Sequence, residues 1–116
     1  MSCRKLDNEP NKDIRYLLFN IPNFRTKLEQ LERNNNSKEE IVTEIKRELS
    51  RWLNILNTDV AVDIKGIRAS IFDYRKQMYK SSYGLDKVGI LDLTKDRLNY
   101  WQGLAQMVLK EREEGC

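Results

Sequence analysis

The stretch SKEEIVTEIKRELSRWLNIL, residues 37–56, decides the class of fold. Ser37 and Glu40 have the spacing of a capping box, in which each side chain bonds to the backbone N–H of the other residue at a helix start. Apolar residues then recur every three or four positions, which is the period of one helix face. This pattern predicts an amphipathic helix over residues 38–56. Its apolar positions are Ile41, Ile45, Leu49, Trp52, Leu53 and Leu56.

The flanking segments show the same helical period. It predicts helices over 12–20, 22–33, 59–81 and 95–113, and Pro22 is expected to open the second of these because proline suits a first helical turn. The helix over 59–81 carries an apolar stripe of Ile64, Ile67, Ile71, Tyr74 and Met78. With a short apolar segment after Gly84, the sequence predicts an all-α fold, a compact bundle of five or six helices with short loops.

Residues 12–113 are predicted to form this single helical domain, between a flexible N-terminus over 1–11 and a short tail over 114–116. Five glycines and two prolines are too few for a protein built from many short strands. No apolar leader opens the chain, and no apolar run reaches membrane-spanning length. We therefore expect a cytoplasmic protein that has no contact with a membrane.

The composition argues against catalysis. The chain has no histidine, so the commonest general base and metal ligand is missing. Cys3 and Cys116 lie at the two ends and form neither a disulfide framework nor a zinc-site spacing. Acidic pairs four residues apart fit helix capping better than magnesium binding. We expect no catalytic residue, no metal site and no cofactor. The two pairs are Asp59 with Asp63 and Asp92 with Asp96.

The segment from Gly84 onward has the layout of a helix-turn-helix unit. A short helix, a turn around Asp92 and a longer helix capped by Thr94 would place polar side chains on an exposed recognition face. Amide side chains pair bidentately with adenine, and lysine meets phosphate or guanine. The same pattern fits two packed helices with an ordinary polar surface, since residues 85–116 carry a charge of −1 from five basic and six acidic side chains. The predicted nucleic-acid contacts are Lys95, Asn99, Gln102 and Gln106.

A second candidate surface lies on the helix over 59–81. Five cations fall on one arc, with Phe72 and Tyr79 among them and Asp73 as the sole acid between residues 64 and 82. Such an arc can contact phosphates and give a salt-dependent affinity. It can equally meet an acidic protein surface, or stay solvated. The five cations are Lys65, Arg68, Arg75, Lys76 and Lys80.

Two stretches resemble the small phage-borne late-gene activators of the RinA and ArpU type. The first is IPNF followed by RTKLEQLE, residues 21–32, which looks like their proline-aromatic opening and charged helix. The second is LTKDRL, residues 93–98, running on to Leu109-Lys110-Glu111, which is similar to their C-terminal recognition helix. The resemblance implies sequence-specific DNA binding and transcription control in a mobile element. It implicates Lys95, Asn99 and Gln102.

Two binding functions follow as hypotheses. The first is a small non-enzymatic regulator that binds nucleic acid, DNA in particular, through the last helix and the basic arc; the net charge of +3 permits such an acidic partner. The alternative is a protein-interaction module, such as an inhibitor, an adaptor or a small subunit, with Tyr79, Tyr83 and Tyr100 partly exposed. The 3-4 repeat of the stripe over 64–78 also fits the seam of a homodimer, or simply a core.

Overall fold

The computed structural model describes residues 11–56, 62–80 and 84–114, and in these ranges every regular element is helical. The longer elements are α1 (Lys12–Arg33), α2 (Lys38–Ile55), α3 (Lys65–Lys80) and α4 (Lys87–Glu114), and a 3-10 turn at Val62–Ile64 leads into α3. α1 packs chiefly against α4 and α2 chiefly against α3, within a body of 52 × 25 × 18 Å. The all-α bundle is confirmed. The expected five or six helices are wrong in number, because the described residues form four.

α1 continues straight through Pro22, where two helices were predicted. A proline in a helix interior costs about 3 kcal/mol, because it removes one backbone hydrogen bond and crowds the preceding turn. Ile21 and Phe24 stand on either side of it and are 0% and 2% exposed. Burying two such side chains contributes about 1.5–3 kcal/mol each, which offsets the cost of the proline.

α4 is also continuous, so the predicted turn at Asp92 is not formed and there is no helix-turn-helix at the C-terminus. Thr94 does not cap a helix. Its hydroxyl lies inside α4, where it donates to the Ile90 carbonyl at 2.8 Å and pairs with the Tyr74 hydroxyl at 2.8 Å. The local signal for the helix start lies earlier, at Asp86, whose carboxylate accepts from the Gly89 backbone N–H at 2.8 Å.

The predicted capping box at the start of α2 is confirmed. The Glu40 backbone N–H donates to Ser37 Oγ at 3.1 Å, and the Ser37 backbone N–H donates to Glu40 Oε1 at 2.9 Å. Asn35 turns the chain between α1 and α2 with a φ of +57°, a conformation that asparagine tolerates better than most residues. α1 and α2 are thereby joined by a loop of four residues, 34–37.

One aromatic side chain from each helix meets in the centre of the bundle. The ring of Phe24 on α1 contacts Trp52 on α2 at 5.9 Å between centroids, and Trp52 contacts Trp101 on α4 at 6.4 Å. Tyr74 on α3 completes the series at 5.8 Å from Trp101. All three contacts are edge-to-face, the arrangement that aromatic quadrupoles favour. The two indoles are fully buried and fix the mutual position of the four helices.

The apolar stripe over residues 64–78 lies inside this core. Its five side chains are at most 3% exposed, so the stripe packs against the chain's own helices and is not available as the seam of a dimer. α3 nevertheless starts later than the predicted helix over 59–81, because residues 62–64 form a 3-10 turn. The stripe consists of Ile64, Ile67, Ile71, Tyr74 and Met78.

Several predictions concern residues outside the described ranges: most of the N-terminus, Cys3, Asp59, Tyr83 and Cys116. Asn11, predicted to be flexible, is instead 4% exposed and accepts a hydrogen bond from Arg112 Nη1 at 3.3 Å. Glu114, which was assigned to the tail, is the last residue of α4. No helix within the described ranges has both the length and the apolar character needed to cross a membrane.

Candidate nucleic-acid interface

The outer side of α3 carries the predicted cations. Ile67, Ile71, Tyr74 and Met78 face the core, so the residues between them at helical spacing point away from it. The side of α3 that borders α2 also receives Lys46 from that helix. We call this surface the basic-aromatic face. Its members are Lys46, Lys65, Arg68, Phe72, Arg75, Lys76, Tyr79 and Lys80.

Two aromatic rings stand in the middle of this face and remain in contact with solvent. Phe72 is 39% exposed and Tyr79 is 60% exposed. The two residues are seven positions apart, so their rings lie two turns apart, about 10 Å along the helix axis. Together the two rings place exposed aromatic area within a charged surface.

Each ring is bordered by cations. Lys46 Nζ lies 4.5 Å from the centre of the Tyr79 ring, and Arg75 Cζ lies 5.9 Å from it. The same guanidinium is 5.4 Å from the centre of Phe72, and Lys76 Nζ is 6.0 Å from it. Contacts of this length are attractive between a cation and the negative face of a ring. They hold three positive charges next to the two rings.

Two arginines of the face are tied to α2. Arg75 Nη1 donates to Ser50 Oγ at 3.0 Å, while its Nε is buried without a hydrogen-bond partner among the described residues. Arg68 Nε donates to the Leu56 carbonyl at the end of α2. These bonds fix both guanidinium groups against the neighbouring helix. Arg75, which contacts both rings, is therefore held in place by its bond to α2.

The three lysines of α3 are free by contrast. Lys65, Lys76 and Lys80 are exposed, and none of them forms an ion pair within the ranges that the structure describes. A lysine without a carboxylate partner keeps its full charge available to a phosphate. Within the described ranges, these three side chains are thus charges of the face that no carboxylate neutralises.

Acidic and amide side chains of α3 lie elsewhere. Asp73 and Gln77 line a shallow groove together with Gly66 and with Arg97 of α4. That groove is on the α4 side of α3, whereas Lys46 and Ser50 mark the α2 side. The one acid of α3 therefore lies at the α4 edge of the basic-aromatic face, one turn from Lys76.

The residues predicted to read bases on α4 border α1 instead of forming a free recognition surface. Arg25 Nη2 donates to Asn99 Oδ1 at 2.7 Å and to Gln102 Oε1 at 2.8 Å, so one guanidinium occupies both amide oxygens. Lys95 Nζ lies 3.4 Å from Glu32 Oε1 of α1. Gln106 is exposed on the same helix. Three of the four predicted contacts are therefore engaged in joining α1 to α4.

The two predicted groups are not brought together. The α4 group borders α1 through Arg25, whereas the α3 group borders α2 through Lys46 and Ser50. Sequence patterns did not reveal Lys46 as part of the face, because only the packing of α2 on α3 brings it to Tyr79. The available signal was its position beside the apolar stripe of α2.

Several carboxylates of the bundle are held in ion pairs that join elements. Arg112 donates to both oxygens of Asp63 at 2.8 Å and to Asp13 Oδ1 at 3.2 Å, which links α4 to the 3-10 turn and to α1. The hydrogen bond from Arg112 lowers the pKa of Asp63. For Glu44, partial burial acts to raise the pKa, but the hydrogen bond and charge of Lys27 lower it on balance.

Asp63 therefore has a structural partner in Arg112, while Asp92 and Asp96 are exposed on α4. Across the described ranges, no three or more acidic or cysteine side chains gather as a metal site would require. Asp59, the other member of the predicted acidic pair with Asp63, lies outside those ranges.

Comparison with known proteins did not assign the chain to a family. No family model matches the chain, and neither a curated protein nor a solved structure was found to be similar to it. The resemblance to the RinA and ArpU activators stays a prediction that rests on residues 21–32 and 93–111.

Proposed function

We propose that the protein is a non-enzymatic DNA-binding protein and that it contacts DNA through the basic-aromatic face. The observation that carries the proposal is the exposure of Phe72 and Tyr79 among cations, with the one acid of α3 at the edge of the face that lies toward α4. Nucleic acids offer both a row of phosphates for the cations and flat bases for the rings. The chain as a whole is mildly basic, which agrees with such a partner.

The geometry of the cations fits a phosphate backbone. Lys65 and Lys80 are the first and last of the 16 residues of α3, with Lys76 between them. They are about 22 Å apart along the helix axis at 1.5 Å per residue. Several phosphates of one strand fall within that length. Arg68 and Arg75 are fixed beside the lysines by their bonds to α2, so they lose little side-chain freedom on binding.

α4 has a supporting role in this proposal. The Asn99 and Gln102 amide oxygens accept from Arg25, which holds both side chains toward α1, so turning either of them away to pair with adenine would break that bond. Removing a charged donor from its acceptors costs free energy that the base contact must first recover. We therefore assign DNA contact to α3 and the joining of helices to α4.

The test is a titration of mixed-sequence DNA, both as separate strands and as a duplex, followed by fluorescence anisotropy at several salt concentrations. The wild type is compared with a variant in which Lys65, Lys76 and Lys80 are all changed to glutamine. A matched control changes Arg15, Arg33 and Lys110 to glutamine; these are exposed cations of α1 and α4. Either triple variant lowers the formal net charge from +3 to 0.

We expect wild-type binding that weakens steeply with salt. The lysine variant should lower the magnitude of the salt slope by up to about 2.7 on a duplex, since each phosphate contact adds about 0.9. The control should retain most of the affinity despite the same net charge. Equal losses in the two variants would assign the effect to net charge alone, and no binding at low salt would refute the proposal.

A second candidate function is protein binding through the outer side of α4. Tyr100 and Met107 are 53% and 57% exposed and lie two turns apart, with the half-buried Leu104 between them. Tyrosine and methionine are enriched at protein interfaces. A partner recovered by wild type and by the lysine variant, but lost with Tyr100→Ser and Met107→Ser, would favour this function over DNA binding.

A further inference from the structure

We infer that the basic-aromatic face takes single-stranded DNA in preference to a duplex, with bases stacked on Phe72 and Tyr79. This inference rests on the proposed DNA-binding function and specifies its substrate. It is carried by the placement of two solvent-exposed rings between cations, as opposed to a purely basic surface.

The rings are the part of the face that a duplex leaves unused. In a duplex the flat sides of the bases are stacked on one another, and the outer surface presents phosphates and groove edges. A phenylalanine ring pressed against phosphates would lose water without gaining a matching surface. An unpaired strand instead alternates phosphates with bases whose π-faces are free, and such bases stack on aromatic side chains.

The cations leave part of each ring open to solvent, and Phe72 remains 39% exposed. Lys46 approaches Tyr79 at 4.5 Å from the ring centre and Arg75 lies between the two rings, yet Tyr79 is still 60% exposed. The same cations can meet the phosphates on either side of a stacked base. With the two rings about 10 Å apart along the axis, each ring receives a different base.

The face favours DNA over RNA. Proteins distinguish RNA from DNA by hydrogen bonds with the 2′-hydroxyl of ribose. Carboxylate and amide oxygens readily accept the hydrogen bond that this hydroxyl donates. The carboxylate and the amide of α3, Asp73 and Gln77, lie in the groove on the α4 side. Among the members of the basic-aromatic face, Tyr79 alone carries an oxygen that could accept from a ribose 2′-hydroxyl, so the face offers RNA no carboxylate or amide acceptor.

The experiment compares a hairpin-free single strand of DNA, the same sequence as a duplex, and the same sequence as RNA, each by anisotropy over a series of salt concentrations that begins low. Phe72→Leu and Tyr79→Leu remove the ring and leave an apolar side chain. Tyr79→Phe keeps the ring and removes only the hydroxyl. Phe19→Leu is the matched control, since Phe19 is 70% exposed on α1, away from the face. A strand with 2-aminopurine reports stacking through quenching of its fluorescence.

We expect the single strand of DNA to bind more tightly than either alternative. Phe72→Leu and Tyr79→Leu should each weaken it about tenfold, as expected for the loss of one base–aromatic stack, and should reduce the 2-aminopurine quenching. Their salt slope should stay unchanged, because no phosphate contact is removed. Tyr79→Phe and Phe19→Leu should bind as the wild type does. Thermal unfolding of each variant confirms that the bundle is intact.

The outcomes separate this inference from the function on which it rests. A duplex bound as tightly as the strand, with no effect of either leucine variant, would overturn the single-strand preference while leaving α3 as a DNA-binding surface. Tighter binding of the RNA strand would overturn the assignment to DNA. No binding of any of the three at low salt would overturn the inference together with the proposed function.

Discussion

Arg25 and Asn99 join the first helix to the last, with Arg25 Nη2 2.7 Å from Asn99 Oδ1. The same nitrogen lies 2.8 Å from Gln102 Oε1, so it bridges two amide groups one turn apart. Hydrogen bonds from a charged donor are stronger than those between neutral groups. This contact gives the polar side chains of α4 a structural role and underlies the first prediction.

Arg25→Ala and Gln102→Ala are expected to weaken the bundle and to leave DNA affinity unchanged. Arg25→Ala removes both bonds and should lower the free energy of unfolding by about 1 kcal/mol, a modest value because one of the bonds is exposed. Urea denaturation measures the stability, and anisotropy with DNA measures the affinity. If Gln102→Ala or Lys95→Ala lost DNA affinity while keeping full stability, the result would show that α4 contacts the DNA bases.

Gly103→Ala is expected to stabilise the protein without altering DNA binding. Gly103 lies inside α4, and a Cβ added there would meet nothing within 4 Å. Alanine in place of glycine within a helix contributes about 0.5–1 kcal/mol. If instead a nucleic-acid backbone approached α4 closely at this point, the added methyl group would weaken binding. Calorimetric unfolding and anisotropy on the same samples distinguish the two results.

Gly89→Ala provides the comparison for that experiment. The added Cβ would lie 3.1 Å from Leu85 Cβ and 3.2 Å from Asp86 Oδ1, closer than most such contacts. The crowding opposes the gain from helix propensity, because Asp86 must move while it holds the Gly89 backbone N–H. We expect Gly89→Ala to stabilise less than Gly103→Ala. A larger gain at Gly89 would show that the first turn of α4 relaxes freely.

Arg112→Gln is expected to reduce stability and to make it less dependent on pH in acid. Arg112 has a side chain only 9% exposed and contacts Asp63 and Asp13. The loss should be about 2 kcal/mol at neutral pH, below the full cost of breaking a buried ion pair because the Asp63 side chain is 40% exposed. Arg112→Lys should recover only part of it, since lysine lacks the fork that contacts both carboxylate oxygens.

The pH dependence follows from the hydrogen bond of Arg112 to Asp63, which lowers the pKa of that carboxyl in the folded protein. The unfolded chain therefore binds a proton first, near the ordinary aspartate pKa of about 3.9. The stability that this pair contributes is present above that pH and is lost as the pH falls through the lower, folded pKa. Melting temperatures measured from pH 7 to pH 2 should thus fall less steeply below about pH 4 in Arg112→Gln than in the wild type.

Ser37→Ala is expected to lower the free energy of unfolding by about 1 kcal/mol through the loss of the α2 cap. Its hydroxyl accepts the Glu40 backbone N–H, and alanine would leave that donor to water. Ser37→Thr retains the oxygen and should cost much less. Urea denaturation of the two variants measures the difference, and equal losses in both would show that the hydroxyl contributes little.

The sequence was most informative where the signals are local. The bond between Ser37 and Glu40 spans three residues and depends on no other element, so its spacing alone predicted the start of α2. The period of three and four likewise predicted the buried faces, because the helix geometry is the same wherever it packs. The all-α class and most of the core followed from these two signals.

Predictions failed where tertiary packing outweighs a local signal. Pro22 indicated a boundary, yet burial of Ile21 and Phe24 keeps α1 continuous. Asp92 and Thr94 indicated a turn and a cap, yet Thr94 is fully buried against Tyr74 within one helix. Contacts between distant residues had no local signal at all.

In the candidate site, too, local patterns were predicted correctly and contacts between distant residues were not. Helical spacing placed the cations of α3 on one arc, but Lys46 joins them from α2 only because the two helices pack side by side. Arg25 and Asn99 are 74 positions apart in the chain, so their bond could not be inferred from a pattern within one helix. The sequence thus identified Asn99 and Gln102 as polar residues of α4, but it did not identify Arg25 as the side chain that they bind.

The burial of Trp52 and Trp101 has a practical consequence for distinguishing folding from binding. Both indoles are 0% exposed, with Nε1 donating to Glu48 and to Ser70 respectively, so their emission reports whether the bundle is assembled. A ligand on the basic-aromatic face touches neither ring. Tryptophan fluorescence therefore monitors the integrity of the scaffold while a labelled strand monitors occupancy, in a single cuvette and without modifying the protein.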